Sequence, residues 1–282
     1  MARKLHCVRP SASWLLVEAL VEEVVTFLVG TDVRAFAWAL RSHRPTMTFV
    51  ISPTLWTRLL TGLLRLPGVP TPTSVPAPRL LTTYATAIDH ATWLRKHVHV
   101  IHATLDDVDD GSMQTLVFPT TAGLRHPPRG SAAAAAHAIA GEAFMDAEVQ
   151  RVHRRPLLRN TAWSTSGGVS TFSTFLHAIG PATGDTNKLE HLAVTYDNVW
   201  AEAAALVART GQPLRHAIGV LPIGMGLAQC PLAAAATRTL AQLSISAFEM
   251  HALVASTSVT FVCKDKAVFD AIDAARQALL QT

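Results

Sequence analysis

Aromatic residues make up only 6% of this 282-residue chain and charged residues only 16%. The aromatics are too sparse for a platform that stacks the bases of single-stranded nucleic acid. With so few charges, a formal net charge of +4 and a pI near 9.3 describe a mildly basic surface rather than a polyanion-binding face. The densest basic cluster, Arg151, His153, Arg154, Arg155 and Arg159, reads as a solvated face. Cysteine is scarce as well. Cys7, Cys230 and Cys263 are odd in number, far apart and without a C-x-x-C pair, which argues against a disulfide framework or a structural zinc site and for a reducing compartment. No long apolar run survives uninterrupted: Glu18, Glu22 and Glu23 break residues 14–30, so a soluble, unsecreted protein without a membrane partner is expected.

What the chain does have is 49% hydrophobic residues and a mean hydropathy of +0.26, enough to fill one large or two ordinary cores. Leu16, Leu20, Val24, Phe27 and Leu28 recur at helical spacing, predicting a helix over 13–28 that Gly30 and Thr31 break. A helix over 32–41, a β-prone run at 46–51 and a helix capped by Ser52 and Pro53 and running to Leu64 complete a small helical unit, 1–66. Five prolines and one glycine between Pro67 and Pro78 exclude regular helix or central strand, so 67–81 is expected as a linker. From 82 to 282, strand-like runs at 98–101, 115–118, 174–177, 217–221 and 259–262 alternate with helical patterns at 132–147, 189–210, 232–243 and 267–280. That alternation predicts an α/β sandwich: a mainly parallel or mixed sheet, helices on both faces, and ligand loops at the carboxyl ends of the strands. The alanine run 132–136 is expected as a closely packed helix.

Several constellations resolve to structural readings. In HVHVIH, His97 and His99 are expected on one face of a strand, with His102 nearby, but no further ligand follows at metal-site spacing. Asp106, Asp107, Asp109, Asp110 and Gly111 open like a calcium loop, yet Val108 breaks the alternation and no glutamate closes it, leaving an acidic turn. Ser164, Thr165, Ser166, Gly167 and Gly168 lack a nucleophile elbow and are expected as a hydroxyl-rich loop. The informative stretch is 217–231, AIGVLPIGMGLAQCP: a buried strand, a glycine loop and a proline suited to begin a helix. That order leaves backbone N–H groups unpaired and pointing one way, the arrangement that binds phosphate.

Four blocks carry a resemblance to a known family. LVFPTT (116–121) stands where macro domains, the ADP-ribose-binding modules, end a strand with V-N-A-A-N or V-H-P-T-N. RGSAAAAAHAIAG (129–141) resembles their glycine loop and helix, FLHAIGP (175–181) their V-I-H-x-V-G-P, and LPIGMGLAQCP (221–231) their second phosphate loop. The resemblance covers 82–282 and implies a three-layer α/β/α macro-domain sandwich with a mixed sheet. The loop IGMGLAQCP is most similar to that of macro-histones, core histone variants of the H-two-A class that carry a C-terminal macro domain. SWLLVEALVEEVVTFL resembles their central histone helix, and TRLLTGLLRLPGV with PRLL their last helix and docking segment. The whole chain thus resembles a divergent macro-histone, N-terminally shortened and without a basic tail.

The resemblance implies a pocket formed by Thr104, Leu105, Thr121, Arg129, Gly130, Ser131, Ala132, Gly224, Met225, Gly226, Leu227 and Ala228, with ADP-ribose or a related NAD metabolite as ligand and no cofactor or metal. Thr104 stands where the family's adenine-binding aspartate would be, Thr121 replaces its ribose-facing asparagine, and Arg129, Gly130 and Ser131 replace its triple glycine. The implied function is a nuclear, chromatin-associated binding or scaffold module, with histones and DNA as partners of the N-terminal region and weak or lost affinity for ADP-ribose or ADP-ribosylated protein. The alternative is a free-standing, cytoplasmic macro-domain protein that binds or hydrolyses an ADP-ribose derivative, its N-terminal helices being an unrelated unit. No catalytic residues for hydrolysis are legible: a threonine at 121 cannot act as a general base near neutral pH.

Overall fold

The computed structural model describes residues 21, 23–25, 28, 30–40, 53–63, 66–120, 127–141, 143, 160–210, 216–250 and 257–281. The chain divides into two compact units, Met1–Leu64 with Pro70–Asp89, and Arg65–Val69 with His90–Thr282.

In the first unit, residues 21 and 23–25 are helical and Leu28 lies in a bend. Helix α1 (Gly30–Leu40), expected over 32–41, begins at the glycine expected to break the helix before it. The first N–H groups of a helix have no carbonyl a turn earlier to donate to, glycine is accepted at this boundary, and Asp32 in the first turn complements the dipole. Helix α2 (Pro53–Gly62) starts on a proline and buries Leu55, Trp56, Leu59 and Leu60 as one stripe. The expected strand at 46–51, the Ser52 cap and most of the helix over 13–28 lie outside the described residues, as does the basic cluster at 151–159.

The proline-rich segment forms two 3-10 turns, Pro72–Ser74 and Ala77–Arg79, which lead into α3 (Leu80–His97), a helix absent from the sequence expectations. Its buried stripe runs through Leu80, Tyr84, Ala87, His90 and Leu94. Two of those five are polar or amphipathic, and four threonines weaken the helical signal. Because α3 runs to His97, that histidine does not share a strand face with His99.

The second unit is built on strands β1 (Val98–His102), β2 (Thr115–Thr120), β3 (Ala162–Ser166), β4 (Thr174–Ile179), β5 (His216–Val220) and β6 (Thr257–Cys263). Among the described residues they form one six-stranded sheet in the order β1-β6-β5-β2-β4-β3. Every pairing is parallel except β3 against β4, which is antiparallel. Strand β3 corrects the hydroxyl-rich loop expected at 164–168: Ser164 pairs with Leu176 and Thr165 with Phe175, and only Gly167 and Gly168 turn. The acidic run does form a turn, in which Asp109 Oδ1 accepts from Thr171 and Asp110 Oδ1 from the Ser112 N–H.

Helices α4 (Ala132–Ala140), α5 (Lys188–Thr210), α6 (Leu232–Glu249) and α7 (Lys266–Leu280) complete the layers. On one face Leu116 and Phe118 of β2, two residues apart, pack with Ala133, Ala136 and Ala140 of α4. α6 packs between α5 and α7. Helix α4 stops at Ala140, short of the expected 147, because Gly141 at φ 87° forms its C-cap; residue 143 is helical and 144–147 lie outside the described residues. No helix of the described residues is long and apolar enough to cross a membrane.

Candidate functional site

Pairing between β2 and β5 ends at Val117, whereas β2 stays paired with β4 as far as Thr120. The Val117 carbonyl points to the β5 side, where it accepts from the Leu221 N–H at 2.8 Å. Two residues on, Pro119 has the same orientation but no N–H to offer, so β2 can give up its β5 neighbour there without orphaning a donor. The strands part at their carboxyl ends, and the loops enter the gap.

The first loop leads into α4. Gly130 takes φ 76°, a conformation glycine adopts freely. Ser131 is the N-cap, its Oγ accepting from the Ala134 N–H at 3.1 Å, while its carbonyl accepts from Ala135 at 3.1 Å. Helical geometry gives the N–H groups of Ala132 and Ala133 no acceptor a turn earlier, and they face outward as donors. The second loop follows β5. Gly224 takes φ 80° and packs tightly: a Cβ there would stand 3.1 Å from Leu192 Cδ1 and 3.2 Å from Cys230 Sγ. The Cys230 N–H closes the loop onto the Gly224 carbonyl at 3.1 Å. A Cβ on Gly226 would meet nothing within 4 Å.

The two loops line one cleft with two lobes, which share Gly130, Ser131, Ala132, Pro222 and Gly226. The lobe beside β2 and β4, about 520 Å³, adds Arg129, Gly224, Leu227 and Ala228. The lobe beside β1 and β6, about 700 Å³, adds Leu105, Met225, Lys264 and Asp265. Of the residues expected in the pocket, these loops therefore bring together Leu105, Arg129, Gly130, Ser131, Ala132, Gly224, Met225, Gly226, Leu227 and Ala228. Thr104 borders neither lobe: its N–H and hydroxyl both donate to Asp107 Oδ2, at 2.8 and 2.6 Å. These bonds hold the Asp107 carboxyl below the usual carboxylate range. Thr121 lies outside the described residues.

Sequence reasoning missed Thr120, Gly180 and Pro181 in the first of these lobes and Lys264 and Asp265 in the second, although the carboxyl-end rule for parallel strands points to all five. It also missed the supports behind the second loop. Thr183 Oγ1 donates to the Leu227 carbonyl at 2.9 Å, and Lys188 Nζ donates to the Ala228 carbonyl at 2.7 Å.

Burial pushes the Cys263 thiol up to about 12 and the Cys230 thiol above its ordinary value, so neither is a thiolate nucleophile at neutral pH. Among the described residues of the lining the single carboxylate, Asp265, caps α7 by accepting from the Ala267 and Val268 N–H groups. Among the described residues no group of three or more His, Cys, Asp or Glu side chains is placed to hold a metal ion.

Neither a comparison of the sequence with protein-family models nor one with curated proteins found a match. Solved structures do match. The Trypanosoma brucei macrodomain in complex with ADP-ribose is similar at TM-score 0.53 and 16% identity, over 64% of this chain and 70% of that one. The Oceanobacillus iheyensis macrodomain with ADP is similar at TM-score 0.52 and 18% identity, over 64% and 90%. A point variant of that second protein is similar at TM-score 0.53 and 19% identity, over 64% and 88%. With its mixed six-stranded sheet between helical layers, this chain contains the macrodomain fold.

Proposed function

We propose that the chain is a binding module for ADP-ribose or a related nucleoside diphosphate, held in the cleft between residues 128–133 and 222–229, with reduced affinity. The observation that carries this reading is the cleft itself: two glycine-containing loops, one opening α4 and the other preceding α6, line a single concave site at the carboxyl ends of parallel strands. Helix N-termini and glycine turns present N–H donors suited to phosphate oxygens. ADP-ribose and ADP are the ligands of two similar macrodomain structures, which supports this ligand class. Reduced affinity is proposed because the Thr104 hydroxyl is already bonded to Asp107 and because Arg129 and Ser131 carry side chains at the first loop. Among the described lining residues the carboxylate, Asp265, is engaged as the cap of α7, which supports binding rather than hydrolysis.

Calorimetric titration of the full chain with ADP-ribose tests this. Saturation with a dissociation constant in the range of roughly 0.1–1 mM is expected. Low-micromolar saturation would overturn the weakened pocket, and absence of binding at several times that concentration would overturn the binding module.

The organisation proposed with it is a helical region, 1–66, a linker, 67–81, and the binding module, 82–282. A nuclear, chromatin-associated scaffold with histone and DNA partners is proposed from the resemblance of residues 13–28, 57–69 and 78–81 to the central helix, last helix and docking segment of macro-histones. Co-expression of the full chain with core histones tests it: a stable, co-purifying complex is expected, and a chain that elutes alone counts for a free-standing cytoplasmic protein instead.

A further inference from the structure

The second loop, PIGMGLAQ over 222–229, contains no cation, so backbone donors alone would have to meet the charge of a phosphate bound there. Lys188, the first residue of α5, stands directly behind it. Its Nζ donates to the Ala228 carbonyl at 2.7 Å, and Ala228 itself lines the cleft. The side chain is half-buried, and no carboxylate of the described residues lies within ion-pair distance of it. An ammonium has three N–H donors, of which Ala228 takes one. Lys188 and Asp185 both act on the Cys230 thiol, with opposite sign, and an anion in front of the loop would add a second countercharge for the ammonium.

The neighbouring contact orients the same peptide. Thr183 holds the Leu227 carbonyl at 2.9 Å. In a planar trans peptide the carbonyl and the following N–H point to opposite sides, so the Ala228 N–H is turned away from Thr183. The turn that carries Thr183 is itself fixed, since Asp185 Oδ2 accepts from the Ala182 N–H at 2.8 Å and lies 3.1 Å from His191 Nδ1.

We infer that Lys188 is a positioning residue of the second loop whose charge favours an anion there, and that with Arg129 on the first loop it matches the cleft to the two phosphates of a diphosphate rather than to a single phosphate. This rests on the cleft being a nucleotide site. Lys188 fixes the loop through Ala228, and because the side chain is half-buried its charge is screened less than that of a fully exposed lysine.

Titration of the full chain with ADP and with AMP, at low and at high salt, tests the inference. The wild-type chain is expected to prefer ADP over AMP by about tenfold and to lose affinity as salt rises. Lys188→Gln keeps an N–H donor for Ala228 and removes the charge. It is expected to weaken ADP about tenfold, to narrow the preference over AMP and to flatten the salt dependence. Lys188→Arg is expected to restore the preference and the salt dependence. Thr183→Val loosens the loop without altering charge, and is expected to weaken both ligands while keeping the salt dependence. If Lys188→Gln binds ADP as the wild type does, or weakens ADP and AMP equally with salt dependence unchanged, the inference falls while the cleft assignment stands. If the wild type binds neither nucleotide, both fall together.

Discussion

The phenol oxygen of Tyr196, in the middle of α5, accepts a 3.0 Å hydrogen bond from the backbone N–H of Ile223, at the mouth of the second glycine loop. Burial pushes this phenol up to about 12, so it stays neutral across the physiological range, and the helix core holds the loop by a neutral bond. The loop is thus tied to α5 at its start by Tyr196 and toward its end by Lys188.

Tyr196→Phe keeps the ring and removes the acceptor. It leaves the Ile223 N–H buried without its partner, a loss of about 1–3 kcal/mol. Urea unfolding should show that loss, and ADP-ribose titration a weaker cleft. Unchanged values in both would mean that packing around Gly224 alone holds the loop.

The two glycines of the second loop should respond oppositely. Gly224→Ala places a Cβ at positive φ and presses it on Leu192 and Cys230, costing roughly 1–2 kcal/mol of stability. Gly226 has open space where a side chain would go, so Gly226→Glu should melt like the wild type and fail to bind ADP-ribose, because its carboxylate enters the cleft. Thermal melting paired with calorimetry separates the two, and a Gly226→Glu chain that still binds would move the ligand away from this loop.

At the first loop, Ser131→Ala removes the cap of α4. The expected loss is about 1 kcal/mol in denaturant unfolding, with recovery in Ser131→Asn, which also caps well. Equal stability of serine and alanine would show that Gly130 and the following alanines set the helix start without it.

Acid should destabilise the second unit through His90. Its ring is buried, Nδ1 has no hydrogen-bond partner among the described residues, and Nε2 lies 2.9 Å from Ser244 Oγ, whose hydroxyl donates to the Pro67 carbonyl. Burial lowers its pKa from 6.5 to about 4. The unfolded chain therefore binds the proton more readily, so this contribution is intact above about pH 6.5 and is lost as pH falls toward 4, by roughly 3 kcal/mol in all. Burial lowers the pKa of His216 as well, with the same sign. Urea midpoints should fall across this window and fall less in His90→Gln. A pH-independent midpoint in the wild type would remove His90 as a cause.

Five of the six strands and every labelled helix but α3 were legible because their side chains carry their own period. Leu116, Val117 and Phe118 are apolar on both faces, as a central parallel strand must be, and α7 repeats apolar residues at helical spacing behind an aspartate cap. Strand β3 was hidden because AWSTS reads as a polar loop. It is a strand because β4 offers it an edge: Thr165 Oγ1 meets His177 Nε2 at 2.9 Å, and Trp163 stacks on the same ring at 4.7 Å. Helix α3 was hidden because Tyr84 and His90 stand in its buried stripe, and only their surroundings make those positions interior.

The alternation of strands and helices and the two glycine loops can be read along the chain, since each depends on neighbours within about a dozen residues. Whether those loops face one another, that Thr104 turns its hydroxyl onto Asp107 and away from the cleft, and that Lys188 stands behind Ala228, forty residues along the chain, were decided by tertiary structure alone. The physical reason is that parallel strands bring their carboxyl ends together whatever their separation in sequence, and a hydrogen bond responds to distance in space, not to spacing along the chain.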